Sequence, residues 1–183
     1  MTKIEEYVRP VQELDRQEFV KAYPHPFLLL YLENVESSGE WSFKTTTIAS
    51  EKINIAKLLK KGDLMLAEDS DRYRVFALVK SLVSPWRERI SVGRARNNDV
   101  ALPNKSVSKL HAHFTFEEGT AWLTDAGSRN GTRVNGDKLR AGKPVKTVPG
   151  DVITFGGVSL RFIDAGSLHD LVRKQLKPRK KRS

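Results

Sequence analysis

Residues 151–163 read DVITFGGVSLRFI. In the second half, Val158, Leu160 and Phe162 fall on one side of an extended chain and Ser159 and Arg161 on the other. The first half, "DVITFG", reads as a strand too, and Gly156-Gly157 leaves room only for a tight reversal between the two. The same period of two runs back to about residue 71. "RYRVFALVKS" (72–81), "RISVGR" (89–94), "HAHFTFE" (111–117) and "TAWLTD" (120–125) all read as strands. Short strands punctuated by Gly, Asn and Asp predict a mainly β domain, an antiparallel sandwich over residues 71–164. Trp122, Phe114 and Phe116 are expected in its core.

The flanks read differently. Residues 1–70 form a mixed α/β extension that carries no recognisable chemistry. Asp15 caps a helix over "RQEFVKAY" with Phe19 on its apolar face, and "PHP" at 24–26 ends it. "FLLLYLE" (27–33) reads as a buried strand and "WSFKTTTI" (41–48) as a β-branched one. Ser50 caps an amphipathic helix over "EKINIAKLLKKG", with Gly62 as its stop. Residues 165–183 begin as a short helix, "AGSLHDLVRKQL", with Ser167 as its cap, and trail off as a basic tail, "KPRKKRS".

The totals restrict the class. Of 183 residues, 39% are hydrophobic and 30% charged, which is enough apolar material for a core. There is no cysteine, so neither disulfides nor thiolate zinc sites arise. The N-terminus has no apolar signal core, and the longest apolar run, Phe27 to Leu32, is far too short to span a bilayer. A cytoplasmic protein without membrane contact is expected. The net charge of +10 is uneven: −1 over residues 1–85, +5 over 86–164 and +6 over 165–183. The tail therefore carries more than half of the excess. Weak attraction to nucleic acid through it is the reading that charge alone suggests.

The chemistry lies between residues 92 and 136. Asn130-Gly131 and Asn135-Gly136 are two-residue turn signals with only "TRV" between them. Both turns are expected at one end of the sandwich. The surrounding loops offer Arg94, Ser108, Lys109, Arg129, Asn130 and Asn135, every one a hydrogen-bond donor. Nearby acids, Asp99 and Asp125, are fewer. Such a rim suits a tetrahedral dianion: a phosphorylated side chain carries about −1.5 to −2 charges and three acceptor oxygens.

"VGR" at 92–94, "SVSKLHA" at 106–112, "DAGSRNGTRVNG" at 125–136 and "GDVITFG" at 150–156 together resemble the ordered signature of a forkhead-associated (FHA) domain. The resemblance covers residues 71–164, about half of the chain. It implies an FHA/SMAD-like sandwich of about eleven strands that binds phosphothreonine peptides through apical loops. It implies phosphate contacts from Arg94, Ser108, Lys109 and Arg129, and peptide-backbone contacts from Asn130 and Asn135. Gly93, His111, Gly131 and Thr132 take structural roles in the site, and a pocket for the threonine methyl disfavours phosphoserine. The family often reads the third residue after the phosphothreonine from the loop between its last two strands. Here that loop is only Gly156-Gly157, so sequence preference is either weak or comes from elsewhere.

The implied function is a phosphothreonine-dependent adaptor in Ser/Thr kinase signalling. The partner is a threonine-phosphorylated protein or a kinase, and no cofactor is needed. A phosphorylated threonine in "KTTTIAS" (44–50) could also be captured by the same chain or a neighbour. The alternatives are a basic nucleic-acid-associated protein and a phosphate-independent scaffold. Catalysis is disfavoured: Ser108, His111 and Asp125 lack a nucleophile elbow, and no G-x-S-x-G or phosphate-binding glycine loop occurs. His111 and His113 share a strand face in this reading, but no third metal ligand is near in sequence.

Overall fold

A computed structural model describes residues 2–31 and 73–176. The expected second strand (41–48), the helix over 51–62, the threonines of 44–50 and the tail beyond 176 lie outside the described residues.

Among the described residues, twelve strands form two sheets. The first has seven strands: β1 (Thr2–Lys3), β3 (Tyr73–Ala77), β2 (Phe27–Tyr31), β12 (Val158–Ile163), β11 (Val152–Phe155), β8 (Thr132–Val134) and β9 (Asp137–Lys138), in that spatial order. The second has five: β10 (Val145–Thr147), β7 (Thr120–Asp125), β6 (Ala112–Glu117), β4 (Ile90–Gly93) and β5 (Val100–Ala101). All pairings are antiparallel except β4 with β5. Leu28, Leu30, Ile153, Phe155 and Leu160 of the first sheet meet Val92, Phe114 and Leu123 of the second. Phe114 stacks across the gap on Phe162, with ring centroids 5.9 Å apart.

Residues 2–31 contribute β1 and β2 to this sandwich. β2 lies between β3 and β12, pairing Phe27 with Ile163 and Tyr31 with Tyr73. The expected boundary near residue 71 therefore cuts through a sheet. The run FLLL explains why: Leu28 and Leu30 face the sandwich interior, while Phe27 is buried on the other face. That outer face carries a third layer made of a 3-10 turn (Ile4–Tyr7), α1 (Val8–Glu13), α2 (Arg16–Ala22) and α3 (Ala165–Gln175). Ile4, Val11, Phe19, Leu168 and Val172 form a second core there with Phe27, Tyr73 and Ile163.

Capping agrees with the sequence at one helix and departs from it at another. The Asp15 carboxylate accepts from the amides of Gln17 and Glu18, and the Glu18 carboxylate accepts from the Asp15 amide, a closed capping box. At α3 the cap is Asp164, not Ser167: its Oδ1 accepts the Ser167 amide at 2.6 Å. Asp164 leads because it sits in extended backbone just before the first helical residue. Two expected core residues also move outward. Trp122 is only half-buried, because it alternates with the inward Ala121 and Leu123, and Phe116 near the end of β6 is 42% exposed. Among the described residues, no helix is long and apolar enough to cross a membrane.

Candidate functional site

One pole of the sandwich gathers the loops that follow β4, precede β6 and precede β8. The hairpin β11–β12 closes the same pole. The Gly156 amide donates to the Gly131 carbonyl at 3.1 Å, and the Gly157 amide donates to Ser106 Oγ at 2.9 Å. A Cβ at Gly156 would collide with the Ser106 carbonyl, so this close approach requires glycine. Between the loops lies a hollow of about 220 Å³ lined by Arg94, Lys105, Ser106, Val107, Ser108, Lys109, Arg129 and Asn130.

Backbone pairing fixes Arg94. Its amide donates to the Ser108 carbonyl at 2.8 Å, and its Nε donates to the Val107 carbonyl at 3.2 Å. Arg94 as a whole is exposed and lines the hollow. Gly93 is required beneath it, since a Cβ there would strike the Lys109 carbonyl. Asn98, 3% exposed, ties the same turn down by donating from Nδ2 to the Ala95 and Lys109 carbonyls, each at 2.7 Å.

Ser108 is poised by its neighbours. Its Oγ accepts the Arg129 amide at 3.0 Å, so the hydroxyl proton is left for a ligand. Its own amide donates to His111 Nδ1 at 3.0 Å. That bond requires a bare Nδ1, so the imidazole carries its proton on Nε2, which donates to the Gly131 carbonyl at 3.1 Å. His111 is fully buried, and burial holds its pKa below the ordinary value against the pull of Gly131 and Asp125. The ring packs edge-on against Phe155. The histidine thus clamps the Ser108 loop to the Gly131 loop. It does not share a face with His113, which lines a broad groove on the opposite side of the five-stranded sheet with Trp86, Arg89 and Phe116.

The loop carrying Arg129 and Asn130 hangs on Asp125. Its carboxylate accepts the Ser128 and Thr132 hydroxyls at 2.6 Å and the Gly127 and Ser128 amides at 3.0 Å. Burial alone would raise its pKa; these four donors outweigh burial and hold it below the usual carboxylate range. Asn130 is exposed at the rim, and its Nδ2 donates to the Ser106 carbonyl at 2.7 Å. Only Gly131 of this Asn-Gly pair has positive φ, and the segment crosses from one sheet to the other instead of forming a two-residue hairpin turn.

Asn135 is not brought to this site. β8 runs away from the hollow, from Thr132 paired with Phe155 to Val134 paired with Ile153. The Asn135-Gly136 turn, with both φ positive, therefore lies at the far end of the sheet. There Asn135 donates from Nδ2 to Asp151 Oδ1 at 2.8 Å and accepts the Val152 amide at 2.9 Å. The two Asn-Gly turns cannot share one end, because the three residues of strand between them carry the chain about 10 Å.

The structure therefore assembles Arg94, Ser108, Lys109, Arg129 and Asn130 at one hollow, with Gly93, His111, Gly131 and Thr132 bracing it. Sequence reasoning missed the other braces: Asn98, Asn104, Ser106 and Ser128. "NKS" at 104–106 and "DAGS" at 125–128 carry a detectable signal. Both are side-chain-to-backbone turns in which an Asn or Asp oxygen accepts the amide two residues on.

Residues 90–156 match the family model described as FHA domain. An ABC transporter ATP-binding/permease protein of Mycobacterium tuberculosis is 36% identical over 75 residues, which cover 41% of this chain and 8% of that protein. The oxoglutarate dehydrogenase inhibitor of Corynebacterium glutamicum is 37% identical over 73 residues, covering 40% of this chain and 49% of the relative. The solved N-terminal FHA domain of S. cerevisiae Rad53p, in complex with a phosphothreonine peptide, shares 25% identity at a TM-score of 0.43, covering 54% of this chain and 90% of that one. The chain thus spans half or less of the length of these curated relatives.

Proposed function

We propose that the FHA domain of this protein is a phosphothreonine-dependent interaction module, an adaptor that docks on a threonine-phosphorylated protein or kinase. One observation carries the reading. The Ser108 hydroxyl proton, the Arg94 guanidinium and the exposed Lys109 and Arg129 surround a single hollow, and the Ser108 oxygen is already committed to the Arg129 amide. This geometry prefers a tetrahedral dianion to a bare hydroxyl. Asn130 at the rim is suited to the peptide backbone. The test is calorimetric titration of a degenerate phosphothreonine library, with matched unphosphorylated and phosphoserine libraries, on the wild type and Arg94→Ala. Heat only from the phosphothreonine library, lost in Arg94→Ala, supports the reading. Equal heats for modified and unmodified peptides overturn it in favour of a phosphate-independent scaffold.

Self-capture is a second reading, favoured by where the chain leaves the sheet. β2 runs antiparallel to β12, so Tyr31 and its partner Tyr73 stand at the Gly156-Gly157 end, the pole of the hollow. Thr45, Thr46 and Thr47 follow Tyr31 within 16 residues, and an extended chain of 14 residues reaches about 45–50 Å. A phosphate on one of them would meet the site at high effective concentration. Phosphorylated full-length protein that binds an external phosphopeptide as tightly as the unmodified form would refute self-capture.

A further inference from the structure

We propose that this site selects phosphothreonine ligands flanked by further anionic groups, either carboxylate side chains or a second phosphate. The inference rests on the phosphothreonine reading above and concerns the identity of its ligand. Arg94, Lys105, Lys109 and Arg129 all line the hollow, all are exposed, and no acid lines it. Among the described residues none of the four takes part in an ion pair. A phosphothreonine brings about −1.5 to −2 charges. It therefore neutralises about half of the four cations, and the ligand must leave the others bare or bring more negative charge.

The surroundings deepen the imbalance. The Lys138 side chain lies over Gly131, adding a fifth cation beside the loop that carries Arg129. Asp125, at the root of the Arg129 loop, is buried and spends its oxygens on Gly127, Ser128 and Thr132. The one acid of β6, Glu117, is remote, because that strand runs from Ala112 at the hollow to Glu117 at its far end. Apolar contact offers no competing means of discrimination. Gly156 and Gly157 border the hollow through Ser106 and present no side chain, and Val107 is buried beneath. What remains to read the residues around the phosphothreonine is charge.

The test uses the full chain and three fluorescent peptides sharing one phosphothreonine core, flanked by alanines, by glutamates, or by a second phosphothreonine. Anisotropy at about 50 mM and about 300 mM salt gives the affinities. Two extra surface charge pairs correspond to a gain of about two- to thirtyfold for the glutamate peptide over the alanine peptide. The gain is expected to shrink at the higher salt, where screening shortens the reach of exposed charges. The ratio of the two affinities is expected to fall in Lys105→Gln and Lys138→Gln. A larger gain for the doubly phosphorylated peptide alone would name the second phosphate as the partner group; a gain for glutamates would name carboxylates. Alanine and glutamate peptides bound within twofold of each other, with no gain for the doubly phosphorylated one, would overturn the inference and leave the phosphothreonine reading intact. Failure of all three to bind would sink both. A single-stranded oligonucleotide that displaced the glutamate peptide at matched charge would overturn it by showing a general polyanion surface.

Discussion

Removing one oxygen, in Ser108→Ala, isolates the step that separates a phosphate receptor from a cationic surface. In the unliganded protein that oxygen accepts the Arg129 amide at 3.0 Å and has one proton to give. A hydrogen bond to a charged group contributes about 1.5–3 kcal/mol, and loss of the bond that holds Arg129 adds about 0.5–1.5 kcal/mol in looser positioning. Binding should therefore weaken by about 2–4 kcal/mol, roughly 30- to 1,000-fold at 1.4 kcal/mol per decade. The fold should be nearly unaffected, because the hydroxyl is not part of either core. Calorimetry with one phosphothreonine peptide at fixed salt measures the first effect, and thermal unfolding measures the second. A weakening below about threefold with an unchanged melting temperature would show that the hydroxyl does not touch phosphate. The reasoning from its poised proton would then fail.

Three further outcomes follow from the same geometry. Asp125→Asn removes the charged acceptor of two hydroxyls and two amides, so urea unfolding should show a loss of about 2–4 kcal/mol, with peptide affinity reduced as the Arg129 loop loosens; unchanged stability would contradict the bracing role. Asn135→Ala replaces a residue suited to the left-handed φ of 53° with one that is not and breaks two hydrogen bonds, which should cost about 1–3 kcal/mol in stability while changing phosphopeptide affinity less than twofold, since the turn is at the far pole. His111 titrates below its ordinary 6.5 in the folded protein because it is buried, so the unfolded chain binds the proton first; stability should fall as the pH drops below about 6.5 and be flat above it. Nitrogen NMR at neutral pH should show the proton on Nε2, and a proton on Nδ1 would refute the clamp.

Much of this was legible in the sequence, for reasons that differ by residue. Strands with a buried and a solvated face, such as Val158–Ile163, announce themselves by alternation. β2, buried on both faces, was recognisable as a strand, but its place between β3 and β12 was not. Pairing across more than a hundred residues leaves no local trace. The loop donors Arg94, Ser108, Arg129 and Asn130 were found because their spacing is unusual as a set. Asn135 was misplaced because an Asn-Gly turn looks the same at either end of a strand. Trp122 is expected in the core, yet its position between the inward Ala121 and Leu123 already puts it on the outer face.

The pairing of Phe27 with Ile163 has a consequence for biosynthesis. The two residues are 136 positions apart, so β2 leaves the ribosome long before the neighbour that will cover its edge. At about 5–20 residues per second the wait is roughly 7–27 s. Throughout it a nascent FLLL strand offers unpaired amides and carbonyls to any passing chain. A fragment trimmed to the matched residues 90–156 avoids that hazard but discards both of these strands, and should be recovered as an aggregate.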